Sequence, residues 1–372
     1  MRNKYLILLS VVLLSALFIT CSDDSSDYVA VSPVVVDLTQ VPYPKLSDYK
    51  FFDGVLKDQV PALNVLPFQP ASALFSDYAL KKRFVWMPPG TKATYNGDGK
   101  VLELPIGAAL IKTFYYNNVL NSTSGTRIIE TRVMIHKQTG WLFADYVWNA
   151  DQTEAYYDVA GSFTDISWNQ NGVEKSTSYR IPSQEQCIVC HKSRLDTNGD
   201  DIIVFIPIGI KPQNLNWNYN YGTETKNQLT KWIEAGYLED NFTYPTAEHT
   251  VIDYNDTSKS LDLRMRSYVD ANCSHCHGTD RHCDYRPMRF AFGETLNNPA
   301  NMGVCVATED MQDFPDALSR IVTPGNIDKS MMYYRLNTTN EAYRMPLHGR
   351  TIIHDEGIAL AEAWINSLSP CN

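Results

Sequence analysis

Two short stretches hold the residues with reactive chemistry. CIVCH, Cys187 to His191, returns 86 residues later as CSHCH, Cys273 to His277. Two thiols three positions apart could hold zinc, exchange disulfides or anchor a haem. Two CxxC knuckles could give four thiolates to one tetrahedral zinc. Zinc has no use for a histidine after each knuckle, however, and 86 residues is a long separation for one such site. A redox-active CxxC asks for one motif in a thioredoxin-like βαβ setting, which the flanking sequence lacks. Covalent haem uses every position: the cysteines add across the two porphyrin vinyl groups, one short turn reaches both, and the following histidine falls beneath the iron. With 8 His in 372 residues, a chance histidine after both knuckles has odds of roughly 1 in 2,000, which decides for haem c at both motifs. Cys187, Cys190, Cys273 and Cys276 are then the attachment points, and His191 and His277 the proximal iron ligands.

The sixth ligand sets what each iron can do. Methionine sulfur stabilises ferrous iron, a second histidine lowers the potential, and an open position permits chemistry at the metal. For the second haem the candidate is Met345 in YRMPLHGR, a methionine followed by proline in a loop ahead of the last helix, as in small c-type cytochromes. Met331 and Met332 lie in a helical segment, where core packing is the expectation. Between His191 and Met265 there is no methionine. The first haem is left with His249, with a residue of the β-rich region such as His136, with an unusual ligand, or with none. His275 reads as an exposed spacer residue, and His348 and His354 as capping or solvent-facing. Arg335, Arg344 and Arg350 could meet haem propionates, although surface arginine is the commoner case. DTNGDD, Asp196 to Asp201, opens like an EF-hand loop but has Asp201 at position six and Pro207 at position twelve, so a turn is expected. GxSxG, P-loop and dinucleotide fingerprints are absent.

These residues need elements to position them. From about Val29 to Tyr179, runs such as KRFVWM, IIETRVMIH and LFADYVW sit between turn signals, among them Pro88-Pro89-Gly90, Asn96-Gly97 and Asn171-Gly172, which predicts a β-sandwich or partial barrel. KNQLTKWIEAG then places Leu229, Trp232 and Ile233 on one helical face. LDLRMRSYVDAN runs a helix into the second motif, with Leu261, Met265, Tyr268 and Val269 on one side. DEGIALAEAWINSLSP aligns Ile358, Ala361, Trp364, Ile365 and Leu368 and stops at Pro370. The expected fold is multidomain α+β: a β-rich domain at 46–178, a first mainly α, cytochrome c-like haem domain at 179–250, and a second at 258–372.

A formal net charge of -10 without a basic stripe argues against nucleic acid or an anionic membrane surface as partner. The chain opens with Arg2 and Lys4 before an apolar run from Tyr5 to Ile19, which reads as a signal peptide. The run stops at Thr20-Cys21 before SDDSSD, a pattern that resembles a lipoprotein cleavage site, so residues 1–21 are read as a signal ending at a lipidated Cys21. Residues 22–45, rich in Ser, Asp, Val and Pro, read as a tether, and the lipid is the expected membrane contact. Three cysteines remain. In an exported protein one disulfide is expected, and Cys283 with Cys305 is the favoured pair, leaving Cys371 over.

Eight segments in order, from FSDYALKKRFVWMPPG and PIGAALIKTFYY through IPSQEQCIVCH and YVDANCSHCH to MPLHGRTIIHDEGIALAEAWI, resemble a family of exported di-haem c-type cytochromes of Gram-negative bacteria. The likeness runs from roughly Leu46 to Leu368. It implies covalent haem at both motifs, methionine ligation by Met345, and anchorage to the outer membrane facing the periplasm or the cell surface. Where the family commonly has a small or apolar residue in the MPxxGR loop, this chain has His348. The expected activity is electron transfer between an exported dehydrogenase or other redox protein and a further acceptor. A di-haem peroxidase with an open site at the first haem is the alternative, and a zinc-stabilised binding protein the third reading.

Overall fold

A computed structural model of the chain describes residues 30–197 and 200–371. The leader and Cys21 lie outside these residues. Phe52–Asp53 (β1) and Val60–Pro61 (β2) pair as a short hairpin. One antiparallel sheet follows, its six strands in chain order: Leu66–Pro67 (β3), Leu80–Trp86 (β4), Ala109–Asn117 (β5), Thr126–Lys137 (β6), Gly140–Trp148 (β7) and Ala155–Asp158 (β8). The sheet is an open meander with β3 and β8 at its edges, not a closed barrel. Ser162–Gln170 (β9) and Val173–Ile181 (β10) form a separate hairpin whose two-residue turn is Asn171-Gly172. Both turn residues have positive φ, 53° and 88°, the conformation for which Asn-Gly is the favoured pair because its twist matches that of the strands.

Alternation along the strands gives the sheet two covered faces. Trp86, Ile111, Val133, Ile135, Tyr146 and Trp148 point to one side, where Val41, Tyr43, Leu46, Tyr49 and Phe51 complete a core. The segment read as a tether is therefore, from about Val34 on, part of the fold: Val41 and Tyr43 are buried, and Val34, Val36 and Leu38 pack beside them. Val85 and Leu110 point to the other face, where Met87, Leu102 and Leu104 of the intervening loop pack with Ile210, Leu215, Leu229, Trp232 and Leu238.

The second half carries several helices, so the whole is mixed α+β. Gln184–His191 (α1) leads into a hairpin of Lys192–Thr197 (β11) and Asp200–Phe205 (β12). DTNGDD, where a turn is expected, joins these two strands, with Asp196 opposite Asp201 in the ladder; Asn198 and Gly199 lie outside the described residues. Next come Pro212–Leu215 (α2), the hairpin of Asn218–Asn220 (β13) and Thr225–Asn227 (β14), and Gln228–Glu234 (α3). α3 is the amphipathic helix read from KNQLTKWIEAG. Asn227 caps it, its side chain accepting from Leu229 N at 2.9 Å, and Leu229 and Trp232 are fully buried. Leu261–Asn272 (α4), Met331–Leu336 (α5) and Asp355–Ser367 (α6) build the last core, with Met265, Tyr268, Val269, Leu336, Leu360, Ala361, Trp364 and Ile365 at its centre. Gly357 lets α6 approach α4 closely, since a Cβ there would collide with the Tyr268 ring and its hydroxyl.

The disulfide differs from the expected pair. Cys305 bonds Cys371, at a Cα separation of 5.8 Å, while Cys283 is a buried free thiol. The chain end after α6 returns to the Cys305 loop, a proximity that cysteine spacing alone does not reveal. Residues 33–372 make one compact unit. No helix among the described residues is long and apolar enough to cross a membrane.

Candidate functional site

α1 begins directly after β10, where Ser183 and Gln186 cap each other's backbone N–H groups. That capping box fixes the single turn that presents Cys187, Cys190 and His191 on one short helix. The Nδ1 atom of His191 lies 2.7 Å from the carbonyl oxygen of Ile206. A carbonyl can only accept, so Nδ1 carries the proton and Nε2 keeps its lone pair, the tautomer a metal ligand needs. Burial pushes this imidazole down to about 4, and it packs edge-on to Phe143 at 4.7 Å.

The second motif is the C-terminal cap of α4. Cys273 N donates to Val269 O at 2.8 Å, and Cys276 N and His277 N both turn back on Cys273 O, at 3.0 and 2.9 Å. These tight turns bring both thiols and the imidazole to one side. His277 is likewise held down to about 4 by burial, and its Nδ1 is buried without a hydrogen-bond partner.

Each motif opens on a cavity. One, of about 200 Å³, is lined by Cys187, Cys190 and His191. The other, of about 340 Å³, is lined by Cys273, Cys276, His277 and Met345. Cavities of this size exceed the packing defects of a protein interior and leave room for a ligand. Cys190, His275, Pro346 and His348 belong to both walls, so the cavities adjoin. At their junction the ligating atoms of Cys190, His275 and Cys276 lie within 4.8 Å of one another. The contact with Cys276 holds the Cys190 thiol well below its ordinary range. The hairpin β11–β12 brings the motifs together: Arg194 N donates to Asp280 O at 2.9 Å, and the Arg194 guanidinium pairs with Asp284.

The Met345 loop is fixed from two sides. Met345 N donates to Arg335 O at 2.9 Å. Arg350, 3 % exposed, donates to the carbonyls of Met345, Arg335, Thr338 and Ile352 at 2.8 to 3.2 Å. Arg344 turns to Glu341 at 2.7 Å. Of the three arginines considered for propionates, only Arg335 lines the second cavity. Asp77 ties the same loop to the β-rich region, accepting from Thr351 N at 2.7 Å and Ile352 N at 3.1 Å. Met331 and Met332 are both buried, Met332 within the core of α4, α5 and α6, and both also reach the second cavity.

Several histidines differ from expectation. His275 is not an exposed spacer: it is 8 % exposed, and its Nδ1 is unpaired. Neither His249 nor His136 lines the first cavity. His249 is half exposed beside Asp98, and His136 stacks on Trp141 at 4.7 Å with Nδ1 against Leu104 O. His354 does stand at the N-cap of α6, but its ring is buried and stacked on Phe75 at 4.1 Å instead of facing solvent. On the first wall the residues with a ligating atom that sequence reading passed over include Met134, Lys112 and Lys211. Met134 precedes the first motif in the chain, outside the segment between the motifs where a methionine is expected. Met288 was similarly missed on the second wall.

The donor set fits covalent haem. Each cavity pairs two thiols with a neutral histidine, one of them already oriented by a carbonyl, and the second adds a thioether from Met345. A single zinc ion fits less well, because a CxxC knuckle brings both thiols to the metal whereas each motif sends only its second cysteine to the junction. No protein-family model matches the chain, and no curated protein or solved structure is detectably similar to it.

Proposed function

We propose that the protein is a di-haem c-type cytochrome that passes electrons between an exported redox protein and a further acceptor. Haem c attached at Cys187 and Cys190 would take His191 as proximal ligand, and haem c attached at Cys273 and Cys276 would take His277, with Met345 opposite. The observation that carries this reading is the junction of the two cavities. Two motifs 86 residues apart converge until Cys190 and Cys276 share one contact cluster, so the residues that would hold the two haems adjoin. Haem supplies reversible one-electron exchange at iron.

The chain's own contribution is to hold and tune. Ile206 O fixes the His191 ring, Arg350 and Arg335 fix the Met345 loop, and the apolar surroundings limit water. Met345 would favour the ferrous state at the second iron; it lines the second cavity and not the first, where Met134 is the methionine on the wall. Each half of this region is read as a cytochrome c-like unit built around its CxxCH motif, and the lipid on Cys21 as the anchor to an outer membrane. The test is local attachment: C187A/C190A and C273A/C276A should each halve the haem content per chain. Full haem content in either variant would contradict the proposal.

The alternative that an observation favours is a metal ion held by Cys190, His275 and Cys276. That reading leaves both cavities, Cys187 and Cys273 without a role. A high-spin first haem together with consumption of hydrogen peroxide would instead support the peroxidase.

A further inference from the structure

The first cavity is unbalanced in charge. Five cationic side chains line it, Arg83, Lys112, Arg132, Arg180 and Lys211, against three carboxylates, Asp145, Asp158 and Asp270. Lys211 pairs with Asp270 at 3.0 Å. Arg132 pairs with Glu130 at 2.5 Å and Asp145 at 3.7 Å, and Arg180 reaches Glu341 at 3.8 Å. Arg83 and Lys112 remain: among the described residues neither has a carboxylate within 4.0 Å.

Sheet register makes the imbalance sharper. Arg83 on β4 lies directly opposite Lys112 on β5, Lys112 opposite Arg132 on β6, and Arg132 opposite Asp145 on β7. Three cations therefore stand side by side across the sheet, on a face where Arg83 is 8 % exposed. Like charges directly opposite each other destabilise a sheet, and a buried charge without a partner costs several kcal/mol, about the scale of a broken buried ion pair. Burial and the neighbouring cations push Lys112 well down, and burial brings Arg83 to about 10. An anion in the cavity removes both penalties. The second cavity has no such excess, since Arg286 there already meets Glu309 and Asp310, at 3.3 and 2.6 Å.

We propose that the row Arg83–Lys112–Arg132 is the site that receives the two propionate carboxylates of the haem attached at CIVCH, with Arg83 and Lys112 as their direct partners. This rests on the reading of CIVCH as a haem attachment motif. The β-rich region thereby gains a role, because its sheet becomes the propionate-binding wall of the first haem. The two cations, which have no carboxylate partner, match a ligand with two carboxylates, Lys112 lying over the Phe114 ring at 4.6 Å and Arg83 offering the planar fork that binds a carboxylate in two places.

The experiment is a potentiometric titration of the holoprotein carrying R83Q/K112M, with R83K/K112R and the single variant K112M beside it. Cations near an iron disfavour its more positive oxidised state, so their removal should shift one haem about tenfold toward the ferric form, or about 59 mV downward for one electron. The other haem should stay within about a third of that shift, as should both haems of R83K/K112R. K112M should show part of the shift and serves where the double variant accumulates poorly. Haem content by pyridine haemochrome should remain at two per chain, because the thioethers are untouched. Two haems with both potentials unmoved in R83Q/K112M and K112M would overturn this assignment alone. A wild-type chain without covalent haem at CIVCH would overturn the functional reading together with it.

Discussion

Replacing Arg350 tests whether the Met345 loop is held as described. The guanidinium is 3 % exposed and meets four backbone carbonyls, Met345 at 2.8 Å, Arg335 at 2.9 Å, Thr338 at 3.0 Å and Ile352 at 3.2 Å. Arg350→Met keeps most of the buried stem and removes all four donors. At about 1 kcal/mol net for each hydrogen bond, the loss is about 4 kcal/mol, against about 1 kcal/mol for an ordinary substitution. Arg350→Lys keeps the charge but not the fork, so about half of the loss should return. Urea unfolding of the holoprotein reads the stability. The visible spectrum of the ferric protein reads methionine–iron ligation in the same samples. Freed from Arg350, the loop should release Met345, and the second haem should lose its methionine signature while the first keeps its spectrum. An Arg350→Met protein within about 1 kcal/mol of wild type and with unaltered ligation would refute the reasoning.

Three further outcomes are expected. Met345→His should lower the potential of the haem at CSHCH and leave the other nearly unchanged in potentiometry, since imidazole favours ferric iron over thioether. Removing the disulfide as C305S/C371S opens a loop of sequence separation 66 and should cost about 4 kcal/mol in the chain-entropy account, read as a lower urea midpoint that reductant no longer changes. His354, held down to about 4 by burial and weakly opposed by Glu356, is neutral when folded. Its unfolded form takes up a proton below pH about 6.5, so stability should fall as pH drops from about 6.5 to about 4. His354→Phe, which keeps the stack on Phe75, should flatten that limb in a series of urea melts.

Local signals were the legible part of this chain. The spacing of Leu229, Trp232 and Ile233 sufficed for α3, that of Met265, Tyr268 and Val269 for α4, and Asn171-Gly172 for the β9–β10 turn, because each depends on residues a few positions apart. The CxxCH spacing likewise marks, within five residues, the side chains that come to line the two adjoining cavities. What stayed hidden depends on distant partners. Cys371 meets Cys305 only because α6 folds back, and His275 is buried only because the first motif closes over it. Val41 and Tyr43, in a stretch without period, become core once the sheet offers a face. The cation row is the clearest case: Arg83, Lys112 and Arg132 look like ordinary strand charges until register sets them side by side.

Haem stoichiometry tests the central claim most directly. The protein would be produced in a host that attaches c-type haem, separated from free haem under denaturing conditions, and counted by its reduced pyridine haemochrome spectrum. Two covalent haems per chain are predicted, one released by each cysteine-pair replacement. A chain with no covalent haem and a zinc ion bound through Cys190, His275 and Cys276 would contradict the account.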